Sequence, residues 1–251
     1  MLSVKQILLL PVLIAMTYVL GFTTQDAVAL TIDGKTTCES ALVNGIWTLL
    51  TSTCTVATLV IDSVDELTIS AGVVLNVGAI TNSGIINNNG QINITSGGVI
   101  TTSGNLSNYG TITNGGGTIT NSGQFKNIGK INSTGTITNG PTGVMSIMGS
   151  ITNNGVITSS GNVVINGTGI LVNNGTLINT LNLLNSGTIV TSNAFINSGL
   201  VMNVGDIWNS DLITNHDTIT NSGNMFNLCD GTITNSGTIA INAVISCVSL
   251  T

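Results

Sequence analysis

The chain has 251 residues, only 6% of them charged, and its 4 lysines (there is no arginine) stand against 10 acidic residues for a net charge of −6. An ordinary globular domain carries about 25% charged residues, so this surface must be covered by the 33 asparagines, the 31 glycines, serine and threonine. So few cations argue against nucleic-acid binding, which needs many phosphate-neutralising side chains, and against enzymes that clamp anions with Arg or Lys; 42% hydrophobic residues argue against disorder.

Residues 1–29 read as a secretory signal. Lys5 supplies the positive start, Ile7–Leu20 is an apolar run, and Ala27-Val28-Ala29 is a small-x-small cleavage site. The run is shorter than the ~20 residues a bilayer span needs and contains Pro11. Cleavage after Ala29 is expected, with no membrane span afterwards and an extracellular or cell-surface location. Removing Lys5 and Asp26 leaves 3 lysines against 9 acids, so the mature charge stays at −6.

Residues 30–55 differ from the repetitive stretch after them: they carry Lys35, Glu39, Trp47, Cys38 and Cys54, and read as an N-terminal cap. Residues 224–251 read as a final coil and C-terminal cap holding Cys229 and Cys247. In an oxidising compartment these cysteines favour the disulfides Cys38–Cys54 and Cys229–Cys247, though four cysteines allow three connectivities. A zinc site is the competing reading, but neither pair has C-x-x-C spacing and His216 is the only histidine.

Between the caps residues 56–223 read as the repeat domain, and from about residue 79 the chain is built from a unit close to x-Ile-x-Asn-x-Gly. TITNSG stands at 118–123, 218–223 and 232–237; weaker copies are KINSTG at 130–135 and AFINSG at 194–199. Side chains alternate along a strand, so in Thr-Ile-Thr the Ile faces one way and both Thr the other. The Asn-x-Gly after it suggests a corner made by residues tolerant of positive φ. A three-residue strand buries nothing alone, but stacked coils form an inner column of Ile, and Asn at equivalent corners can form a ladder. Frequent Gly, Asn and Thr disfavour helices, and a β-sandwich has no six-residue beat. The expected fold is an all-β parallel β-solenoid, right-handed favoured, of about ten coils at ~19 residues each, a rod on the order of 50 Å long.

The phrase Gly-Thr-Ile-Thr-Asn-Ser-Gly-Thr-Ile at 231–239 resembles the repeats of filamentous-haemagglutinin-like and autotransporter-type adhesins, and the likeness covers about 79–242. It implies a secreted parallel β-helix displayed at a cell surface.

No catalytic set, metal site or cofactor site is evident. His216 sits in Thr-Asn-His-Asp at an expected surface corner. Asp206, Asp211, Asp217 and Asp230 would matter only by converging in one groove, where they could hold a hard cation or serve as paired acids on a sugar; a solvated surface is favoured. Asp62, Asp65 and Glu66 decorate an early turn. Five N-x-S/T sequons, at Asn93, Asn105, Asn132, Asn166 and Asn174, are candidate glycosylation sites. Phe125 and Phe195 occupy the Ile position and read as core; Tyr109, Trp208 and Phe226 look scattered singly. A Thr-x-Thr array suited to ordered water looks broken, because ILV, LVM and IWN intervene between the TIT units.

The expectation is therefore a non-enzymatic, secreted structural or adhesive surface protein. Its partners would be itself, end to end in a filament, or surfaces and glycans. An ice- or glycan-binding module is the alternative, and a glycan-cleaving enzyme comes third.

Overall fold

The structure, a computed structural model, describes residues 27–40, 43–241 and 244–248, with side chains up to residue 240. Most of the expected signal, residues 1–26, lies outside the described residues. Strands succeed one another through the chain, interrupted only by one short α-helix and one 3-10 turn among the described residues. Every pairing is parallel except one.

The chain winds as a three-faced coil. Eleven strands form the first face, beginning with β1 (Ala29–Ile32) and ending at Thr238–Ile241; ten steps between eleven strands make about ten coils. Successive core residues on this face, such as Phe125, Met145, Val163 and Leu183, lie directly over one another. The steps between them are 20, 18 and 20 residues, the differences 145 − 125, 163 − 145 and 183 − 163. The second and third faces stack the same way. In the first coils they are two halves of single long strands, because the corner between them is not yet sharp. Thus Thr53–Ile61 lies under Val74–Asn82, and Val74–Asn82 under Gln91–Thr102. Their counterparts further along are separate four-residue strands such as Thr111–Asn114 on the second face and Thr118–Asn121 on the third.

In the four-residue strands from Glu66–Ile69 through Thr218–Asn221 the second and fourth side chains are buried and the first and third are not. The second position carries the column of Ile, Leu, Val, Met and Phe, with Phe125 and Phe195 filling it at 1% and 0% exposure. The fourth position is the corner. In the first coils it is apolar (Ile61, Ile69, Ile94); Asn then takes over at Asn82, Asn88 and Asn114. Where Asn follows Asn the amide donates to the side-chain oxygen of the next, as in Asn179→Asn197→Asn215, both 2.8 Å, and Asn185→Asn203→Asn221, both 2.6 Å, while the first-face column turns apolar again at Ile147 and Ile165. The same amide also reaches a carbonyl one coil on, as Asn203 does to Asn224 at 3.0 Å. Ser and Thr stand in at some rungs, with Asn114 donating to Ser133 and Asn82 to Thr102.

A ladder whose amides all donate toward the C-terminus leaves its first side-chain oxygen without a donor. Four buried Oδ1 atoms lack a hydrogen bond among the described residues: Asn82, Asn88, Asn114 and Asn179. Three stand directly above Ile61, Ile69 and Ile94, which have nothing to donate. The fourth stands above Ser159, whose hydroxyl is already given to Gly161.

The corner glycines serve a purpose other than the one expected from Asn-x-Gly. Among described glycines only Gly72, Gly97 and Gly116 have positive φ, at corners lengthened by extra residues. At the ordinary corners the backbone lies so close to the preceding coil that a Cβ would overlap a carbonyl oxygen: that of Gly110 for Gly129, and that of Gly129 for Gly149. Steric exclusion selects glycine there, and backbone handedness does not.

At the N-terminal end, α1 (Lys35–Cys38) and the antiparallel β2 (Ile46–Thr48), paired on Thr53–Thr55, close the coil. The expected disulfide joins Cys38 to Cys54, both fully buried, and Gly45 packs on it so closely that a Cβ would lie 2.8 Å from Cys38 Sγ. Cys229 is also disulfide-bonded, while the side chain of Cys247 lies outside the described residues. The first bridge closes a 16-residue separation. Replacing Cys38 and Cys54 together with serine is expected to destabilise the cap by about 3 kcal/mol. Amide exchange in Ala29–Ile32 should accelerate while the central coils keep their protection; acceleration everywhere or nowhere would contradict a local cap.

Candidate functional site

The expected polar groups do not converge. Asp206 lies on the second face and accepts from Asn224 at 2.7 Å. Asp211 is at the corner between the second and third faces, Asp217 at the corner between the third and first, and Asp230 in the turn before Thr232. No group of three or more His, Cys, Asp or Glu side chains among the described residues is placed to hold a metal. His216 is exposed at its corner, its Nδ1 3.0 Å from Ser236 Oγ. Glu66 serves the fold by accepting from Asn87 at 2.8 Å, while Asp65 accepts the backbone N–H of Val28 at 3.0 Å, a contact that cleavage after Ala29 would remove.

The sequons all stand on the outside. Asn105 opens a first-face strand and is exposed; Asn93 and Asn132 point out of the second face; Asn166 and Asn174 lie in corners. Asn93 is engaged with its neighbours, donating to Asn76 at 2.8 Å and accepting from Gln91 at 2.6 Å. Trp208 and Phe226 are not isolated. They occupy the same outward position one coil apart and stack with ring centroids 3.9 Å apart. Each ring covers the other, so the pair offers edges rather than a flat platform for a sugar.

Assigning each unit to its face changes the reading of the threonines. ILV at 170–172 and the Trp208 strand belong to the second face, LVM at 200–202 to the first. They interrupt nothing on the third face. There the outward third position runs in register from Val60 through Thr81, Thr101, Thr120, Thr138 and Thr158. It continues through Ile178, Ile196 and Thr214 to Thr234. The first position holds only Thr, Ala, Val and Leu over the same ten strands. Strict Thr-x-Thr pairs stay interrupted, at Thr118/Thr120, Thr136/Thr138 and Thr232/Thr234; what runs unbroken is the face itself, on which Thr and aliphatic side chains alternate and no charge, carboxamide or aromatic ring points outward.

The other two faces differ. Lys126 and Glu66 lie on the first and Lys130 and Asp206 on the second. Their outward Asn side chains pair with one another, as Asn162 with Asn182 at 2.9 Å. No helix among the described residues is long and apolar enough to cross a membrane.

No curated protein and no solved structure matches the chain significantly. The family model of the haemagglutinin repeat matches residues 60–140 and 148–246, which is nearly all of the rod and well over half of the chain. With its stacked coils built from that repeat, the chain belongs to the haemagglutinin-repeat family.

Proposed function

We propose that this is a secreted, non-enzymatic surface protein, a rigid adhesive or spacer rod whose outer faces meet other molecules or surfaces. The observation that supports it is that the haemagglutinin repeat builds the rod itself. The core is saturated with Ile and bonded Asn, so only the outward side chains are free to make contacts. The end geometry favours discrete rods over filaments: β2 runs antiparallel on the first edge of the second face, where a docking coil would have to run parallel.

The test is expression of the full chain in a secretion-competent host, with N-terminal sequencing and negative-stain microscopy of the product. Oxidised protein in the medium beginning at Leu30, seen as single rods on the order of 50 Å long, is the expected result. Retention in the cytosol with free thiols would overturn secretion; long filaments would overturn the discrete rod. Hydrolysis of any member of a glycan panel would overturn the non-enzymatic reading.

A further inference from the structure

We infer that the third face binds ice: its ligand is water ordered as a crystal surface. Ten coils present two outward side chains each, and 12 of these 20 are threonine, the rest Ala, Val, Ile or Leu. The repeat is about 4.8 Å along the rod and about 6.7 Å across it, twice the rise per residue, close to oxygen repeats in the surfaces of hexagonal ice. A partner that engages every rung must itself be periodic in two dimensions, which points to a crystal rather than to a folded macromolecule.

The chemistry then selects among crystals. None of the twelve threonine hydroxyls bonds to another described residue, so each keeps one donor and two acceptor positions for water. The methyl groups between them impose order on the adjacent water layer. Threonine and valine are stiff at χ1, and Thr118, Thr120, Thr136 and Thr138 are each half-buried by their neighbours, so little rotamer freedom is left to lose on binding. A mineral surface would call for charges, and a crystalline polysaccharide for flat aromatic rings; this face carries neither. A second copy of the chain is disfavoured by area. Nine steps of about 4.8 Å by a width of about 10 Å give roughly 430 Å², about half of what each partner contributes to a standard interface.

The inference stands independently of surface display, since the face is the same whether the rod is anchored or free. The test uses the purified, oxidised full chain in a slowly growing ice hemisphere, with growth of a single ice crystal observed in parallel. Thr138→Tyr places a bulky ring in the middle of the array; Ser107→Tyr places the same ring at the equivalent position of the first face. Circular dichroism and thermal unfolding verify that both variants fold.

The expected result is that wild type and Ser107→Tyr enter the ice and shape the crystal, while Thr138→Tyr falls to the level of a non-binding control protein. Exclusion of the wild type from ice would overturn the inference, as would equal losses in both variants. Thr138-dependent retention on crystalline cellulose or chitin without ice uptake, or a Thr138-dependent dimer in sedimentation, would overturn it in favour of those partners.

Discussion

Gly129→Ala is expected to destabilise the rod by about 3 kcal/mol, with a matching fall in the urea midpoint. The added Cβ overlaps the carbonyl oxygen of Gly110 in the coil before, and that carbonyl is the acceptor for the N–H of Lys130 at 2.9 Å. Relief requires the two coils to separate at this corner. Gly149 crowds Gly129 in the same way, so the displacement passes to the next coil as well. Gly140→Ala is the control. Its Cβ would meet nothing nearer than 3.3 Å, at Asn121 O and Ser122 Oγ, because that corner is widened by extra residues. It should cost less than about 1 kcal/mol. Equal losses for the two alanines would contradict the close approach of coils as the cause, since the chain-entropy effect of Gly→Ala by itself favours the folded state.

The second large effect belongs to the asparagine ladder. Asn197 donates to Gly199 O at 2.6 Å, to Asn215 Oδ1 at 2.8 Å and to Thr218 O at 3.1 Å, and it accepts from Asn179. It is fully buried, so water cannot replace what it supplies. Asn197→Ala leaves several buried polar atoms unpaired beside a small cavity and should cost about 3 kcal/mol. Asn197→Thr restores one acceptor and one donor, as Thr191 does within its own ladder, and should recover a substantial part of the loss. Asn88→Ala should be milder than Asn197→Ala by about 1 kcal/mol. Asn88 Oδ1 already has no donor, so its removal shifts the orphan acceptor one coil up, to Asn108, and costs besides only the bond to Thr111 O. Urea midpoints of the three variants test the order; an Asn88→Ala loss equal to that of Asn197→Ala would contradict a directional ladder.

Most of the coil was legible in the residues because its causes are local. Alternation within Thr-Ile-Thr names the inward side chain, and Asn at a fixed offset from the Ile lands at the buried corner whatever the neighbouring coil contains. The first disulfide was legible too, since its cysteines flank a segment unlike the repeat. The reason for the corner glycines was not, because the carbonyl that excludes a Cβ lies about 20 residues away, as Gly110 does from Gly129. Trp208 and Phe226 looked separate because their 18-residue spacing becomes adjacency only when one coil stacks on the next.

The same distinction governs the candidate site. By itself the sequence determined a parallel solenoid with an Ile core, Asn corners and a clamped start, since these arise from side-chain alternation and a short repeat. The tertiary structure alone decided which unit lies on which face. Most units are six residues long, but the step from Ile119 back to Ile112 is seven, and those from Ile137 to Met145 and from Val163 to Leu171 are eight. Each lengthened corner shifts the sequence spacing without shifting the stack, because backbone hydrogen bonds between coils fix the register and the extra residues loop outward. Threonines that look irregular along the chain are therefore brought onto one uncharged face by hydrogen bonds that no local pattern specifies.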